Sequence, residues 1–204
     1  MAGLCECPNP AALETIVDFT CPLDFSEIAK IIVSRKKEFQ KTSVPPLLEI
    51  DIITLAEWVD TLAAVDDTKS LVTPVVDDVE NAPGDPITEE LTVRNVVIGL
   101  DPTTFTGFMQ GAPGATIKSF KKLACEKILF VYFIDNNGDI IYSLNGVKPE
   151  GFKVSNNSFF VQDTELIKRT GNKNRFGFQL EPGWSDAAKK ATPLDFDALV
   201  DLTN

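Results

Sequence analysis

Histidine is absent from the chain. That excludes a Ser-His-Asp or Cys-His nucleophile system, since either needs an imidazole to carry the proton. It also removes the nitrogen ligands of common zinc sites. Cysteine is scarce: four residues, Cys5, Cys7, Cys21 and Cys125. Cys5-x-Cys7 with Cys21 offers three thiolates, but the spacing does not match paired Cys-x2-Cys arms. The start, "MAGLCECPNP", lacks a basic region followed by an apolar stretch, so no secretory signal is expected. A disulfide framework is therefore not expected either, and the thiols read as reduced and structural. No apolar run approaches the ~20 residues of a membrane helix.

Positive charge is also in short supply. Nineteen Lys and Arg face 30 Asp and Glu, a net charge of −11. The imbalance is local, because residues 49 to 90 hold twelve carboxylates and one lysine, Lys69. Such an excess opposes tight nucleic-acid binding, which needs cations against phosphates. Asp66, Asp67, Asp77, Asp78, Glu80, Asp85, Glu89 and Glu90 form the candidate acidic surface. It reads either as a solvated face that keeps the protein soluble or as a lining that repels DNA.

What the chain does have is β-prone sequence. "FSEIAKIIVSRKKEF" (25–39), "SLVTPVV", "LTVRNVVIGL" (91–100), "TTFTGFMQG" (103–111) and "RFGFQLEP" (175–182) read as strands. "LFVYFIDNNGDIIYSL" (129–144) reads as a hairpin about Asp135, Asn136, Asn137 and Gly138, which tolerate left-handed backbone. "FKVSNNSFFV" (152–161) repeats the device with Ser-Asn-Asn-Ser as the turn. Two helices are expected. In 54–64, Thr54 and Glu57 have capping-box spacing, with Leu55, Trp58, Val59 and Leu62 on one face. In 115–127, Ile117, Phe120, Leu123 and Ala124 face inward. Residues 77–90, with two prolines, a glycine and six carboxylates, read as an exposed loop. The expected fold is mainly β (α+β), a β-sandwich or barrel with two flanking helices and extended terminal arms. Residues 1–24 are expected as an extended N-terminal arm, 25–190 as a single β-rich domain and 191–204 as a C-terminal arm, in which 193–202 reads as a helix or an arm.

Motifs for chemistry fail on spacing. "GAPGATIKS" lacks the phosphate-loop pattern, and "DNNGD" places its glycine too early for a calcium loop. Adjacent pairs such as Asp66-Asp67 and Asp77-Asp78 lack the fixed separation that acid–base catalysis needs. No catalytic residue, metal or cofactor is expected. Trp58, Trp184 and Phe159-Phe160 are the aromatic groups that a glycan-binding module could use. Arg35, Lys36, Lys37 and Lys41 form a basic group near the acidic stretch. Identical subunits carrying both patches can join head to tail, and the turn at Asp135, Asn136, Asn137 and Gly138 is a second candidate contact.

The order of short motifs carries a resemblance. A Cys-Pro arm precedes "FSEIAKIIVSRK", followed by "WVDTLAAVDDTKSLVTP", "GDPIT", "TFTGFMQGAPGATIKSFKKLACE", "ILFVYFIDNNGDII" and "FGFQLEPGWSD". Across about residues 5 to 188 the chain resembles a family of virion structural proteins of tailed phages that infect Bacteroidota. The resemblance implies a many-copy particle component, tail-tube-like, whose sheets join in six-subunit rings that stack into a DNA conduit. Its partners would be copies of itself and other virion proteins, not a membrane. A capsid decoration, head-fibre or neck protein is the alternative in the same class, and a glycan-binding module on the particle surface is another.

Overall fold

The computed structural model describes residues 28–39, 52–91, 94–167 and 171–203. The expected N-terminal arm, Lys41, Cys5, Cys7 and Cys21 lie outside them. The chain is mainly β, a β-sandwich-like α+β fold with two helices and one large antiparallel sheet among the described residues.

The most apolar run in the sequence lies at the centre. Strand β7 (Leu129–Asp135) is buried along its whole length. Side chains alternate across a strand, so a run without polar interruption must have protein on both faces. Leu129, Val131 and Phe133 enter one cluster, and Tyr132 and Ile134 enter the other. Strand β1 (Ile28–Ser34) lies along one edge of β7 and divides likewise, with Ile31 and Val33 on one side and Ile32 on the other. The other edge of β7 is shared by β10 (Phe152–Val154) and β8 (Ile140–Asn145). Short β9 (Lys148–Glu150) and β13 (Ala188–Ala191) flank β8.

From β10 the sheet passes to β12 (Gly171–Leu180), then to β6 (Thr103–Gln110) and β3 (Val76–Ala82). It curls over until Phe105 of β6 stacks on Phe133 of β7 at 5.4 Å. Strand β2 (Ser70–Val72), paired with β1, runs straight on through Thr73, Pro74 and Val75 into β3, which links the two layers. Proline suits that corner because it has no N–H for the ladder. The first cluster fills the interior between the layers, and helix α2 (Gly114–Leu123) adds Ile117, Phe120 and Leu123 to it. The second cluster covers the outer face of β1, β7 and β8, where helix α1 (Leu55–Ala63) contributes Trp58. The Trp58 indole lies 4.3 Å from the Phe39 ring and donates to the Ile52 carbonyl at 2.7 Å.

Four expectations change. Residues 77–90 are not a loop, because most belong to β3 and β4 (Pro86–Leu91). Their charged side chains can be strand residues because they point to solvent, not to a core. The segment 152–161 is not a hairpin. Its turn exists, with Ser158 N–H donating to Ser155 carbonyl, but β10 and β11 (Phe160–Ile167) follow one another along β12. Gln179 bridges the gap, accepting from Ser155 N–H at 2.7 Å and donating its own N–H to Ser158 Oγ at 3.0 Å. The Thr54 side chain makes no cap bond. Instead the Asp195 carboxylate accepts from Leu55 N–H at 3.0 Å, so the first turn of α1 is capped from a distance. The C-terminal segment is not an extended arm. It lies on the outer cluster with Ala198 and Leu202 fully buried, and the Lys30 ammonium donates to the Leu202 carbonyl at 3.0 Å. Burial lowers the Lys30 pKa, opposed by the Asp197 charge.

Candidate functional site

The β7–β8 turn is tied inward. Asp135 is 2% exposed. Its Oδ1 accepts from Asn137 N–H and Asp139 N–H, both at 2.9 Å, which closes the turn around Gly138 at φ +82°. A left-handed angle there is why a glycine stands at that position. The Lys190 ammonium of β13 pairs with Asp135 and, at 3.0 Å, with Asp139. Burial pushes the Asp139 carboxyl up, but hydrogen bonds from Thr192 and Lys190 outweigh it and hold it below the ordinary range. Hydrogen bonds to Asp135 and Asp139 raise Lys190 in turn. A lysine therefore sits where a cation would be needed, and Asp197 of the C-terminal segment lies over Gly138. Asn136 and Asn137 are the exposed residues of this turn.

The basic group is largely neutralised within the chain. Arg35 pairs with Glu126 at 2.8 Å, Lys36 with Asp67 at 2.6 Å, and Lys37 with the buried Glu150 at 2.9 Å. The candidate acidic surface is reduced in the same way. Besides Asp67, Asp77 and Asp78 pair with Lys173 at 3.5 and 3.4 Å. Asp66 is held below the ordinary carboxylate range by Thr68, whose hydroxyl and N–H both donate to it, with help from Lys36. Glu80, Asp85 and Glu89 remain exposed, with no ion pair among the described residues. The side chain of Glu90 lies outside the described set.

Those three carboxylates mark a feature that the sequence reading divided between a loop and a strand. β3 pairs with β6 up to Ala82↔Thr104, and β4 pairs with β5 (Arg94–Leu100) from Pro86↔Leu100. The two ladders are continuous in register across a waist at 83–85 and 101–102, where Asp101 N–H donates to Asp85 carbonyl at 2.9 Å. A Cβ at Gly84 would collide with the Asp101 carbonyl, so the waist requires a glycine. One antiparallel ribbon thus has its inner half in the main sheet and its outer half, β4–β5, in a separate two-stranded sheet. At ~3.3 Å per residue the outer half is about 20 Å long. Ile87, Val97, Ile98 and Leu100 are exposed on it, Val97 at 54% and Leu100 at 51%. Register puts Ile87 on one face and Val97 with Leu100 on the other. The available signal was matched punctuation: Pro83-Gly84-Asp85 on one strand and Asp101-Pro102 opposite it on the other.

A second feature lies between α1, α2 and β2. It is an open cavity of about 380 Å³ whose apolar wall includes Leu62, Leu71, Phe120 and Leu123, with Arg35, Lys69 and Lys122 among its lining residues. Lys69 and Lys122 are exposed and carry no ion pair among the described residues.

The aromatic groups are committed elsewhere. Trp58 is fully buried, and Trp184 packs edge-on to Phe105 at 5.2 Å and Phe152 at 5.3 Å. Phe159 is buried and stacks on Phe178. Cys125 is a free, exposed thiol and not a buried structural one. Among the described residues no cluster of three or more His, Cys, Asp or Glu could hold a metal. Among them, too, no helix is long and apolar enough to cross a membrane.

The fold and surfaces define a β-sandwich-like protein with a projecting two-stranded ribbon. Compared with known proteins, the chain matches no family model and no curated protein.

Proposed function

We propose that the protein is a structural, non-enzymatic virion subunit, a tail-tube-like protein that self-assembles into stacked rings. The observation that carries this reading is the outer half of the ribbon. An isolated two-stranded hairpin is marginal in water and needs a third strand or a packed face. Here, among the described residues, its strands pair only with each other, and it exposes branched apolar side chains on both faces. Another molecule that covers it relieves both costs, and in a many-copy particle that molecule is a neighbouring subunit. The motif order supports the phage-family reading, and exposed Glu80, with no ion pair among the described residues, suits a surface that DNA must pass without sticking. The glycan-binding alternative has less in its favour, because Trp58, Trp184 and Phe159 serve the core.

Negative-stain electron microscopy across a concentration series, with light-scattering mass, tests the proposal. Rings or tubes with a central channel are the expected result. A monomer at every concentration, or a compact trimer without a channel, overturns the tube and favours a decoration or fibre role.

A further inference from the structure

We infer that the β4–β5 ribbon of one subunit docks into the cavity between α1, α2 and β2 of a second copy of this chain. The inference rests on the self-assembly reading and names its contact. The two surfaces are complementary in three respects. The cavity wall is apolar, with Leu62, Leu71, Phe120 and Leu123, and the ribbon face that carries Glu89 presents exposed Ile87. At about 380 Å³ the open cavity has room for side chains from one face of the ribbon and not for the whole ribbon. The charges are opposite: Lys69 and Lys122 at the cavity and Glu89 and Asp85 on the ribbon have no ion pair among the described residues. The other cations offered by the sequence, Arg35, Lys36 and Lys37, already have partners in their own chain.

The geometry also fixes the type of contact. The ribbon and the cavity are different surfaces of one molecule, so the contact is heterologous. Repeated, it closes into a ring or continues as a filament. Each subunit then gives one ribbon and receives one.

Charge exchange tests this. One variant carries Glu89→Lys and Asp85→Lys, and a second carries Lys69→Glu and Lys122→Glu. All four positions are exposed, so each variant should melt as a monomer like the parent protein. Alone, each should need a concentration about tenfold or more higher to assemble, because like charges now meet across the contact. Mixed in equal amounts they should recover assembly, since each ribbon then finds a cavity of opposite sign. If both variants assemble like the parent, or if the mixture fails to recover, the contact is wrong while the assembly reading stands. A parent protein that stays monomeric throughout the series overturns the assembly reading and the contact together. If residues 1–24 of the same chain fill the cavity instead, the second variant shifts the monomer's melting temperature, and the contact is again overturned.

Discussion

Two antiparallel hairpins of similar length have opposite fates in this molecule. The β7–β8 hairpin is closed on every side: β1 along the β7 edge, β13 along the β8 edge, a core cluster on each face, and a Lys190 staple at its turn. Among the described residues the β4–β5 hairpin has no strand beyond its own pair and no cluster under either face. Backbone pairing is common to both, so pairing alone does not explain why the first forms the centre of the fold. The difference is side-chain burial, at ~25 cal/mol per Å² of apolar surface. The inner hairpin gains that within the chain. Among the described residues the outer one gains no such burial, which is what the proposed contact with a second copy would supply.

The comparison can be broken most forcefully at Phe133. Its ring packs on Phe105, Phe152, Phe178 and Trp184. Phe133→Ala should cost about 3–5 kcal/mol in chemical denaturation. A loss below about 1 kcal/mol would show that the inner hairpin is not the energetic centre.

A middle-sized effect is expected at the staple. Lys190→Met leaves the buried Asp135 without its cation and should cost roughly 1–3 kcal/mol, tempered by the partial exposure of Lys190. The pH dependence has a definite sign. Asp139 is lowered by folding, so its contribution is present above the unfolded carboxylate pKa of ~3.9 and is lost as pH falls through the folded value below it. Lys190 is raised by folding, so its contribution is complete below the unfolded lysine pKa of ~10.4 and is lost as pH rises through the folded value above it. The stability gap between parent and variant should therefore be flat from about pH 4 to about pH 10 and narrow outside that window. Melting curves at several pH values check this. A gap that peaks only near neutrality would mean that other groups control it.

The smallest effect on the monomer is expected on the outer ribbon. Val97→Ser with Ile98→Ser should move monomer stability by no more than about 0.5 kcal/mol, as surface changes usually do. The same pair should abolish assembly in light scattering. A large loss of monomer stability would place these side chains against the body of their own subunit and remove the contrast between the hairpins.

The inner hairpin was legible because its pattern is local. A run from Leu129 to Ile134 without a polar residue, then Asp-Asn-Asn-Gly, specifies strand, turn and burial together. Both helices were legible from Trp58 and Phe120 and their neighbours at helical spacing. The outer ribbon was legible only in half: 91–100 reads as a strand, but 77–90 reads as a loop, because exposed strand residues leave no burial pattern. Pro86, Glu89 and Glu90 look like loop sequence until Leu100 and Val97 are seen opposite Pro86 and Thr88. The candidate sites fared similarly. Sequence identified the charged residues, but pairings such as Arg35–Glu126 join positions far apart in the chain and cancel much of what looked like free charge.

The sequence by itself determined the β-rich class, the two helical segments, the central hairpin and the absence of imidazole chemistry, since each depends on residue type or short-range periodicity. Only the tertiary structure decided which strands neighbour one another, that residues 152–161 run along β12 instead of folding back, that Asp195 caps α1, and that the C-terminal segment is packed down. It also decided which hairpin is core and which projects. Those outcomes depend on contacts between residues distant in sequence, where burial and charge pairing are settled by the whole fold and not by any local stretch.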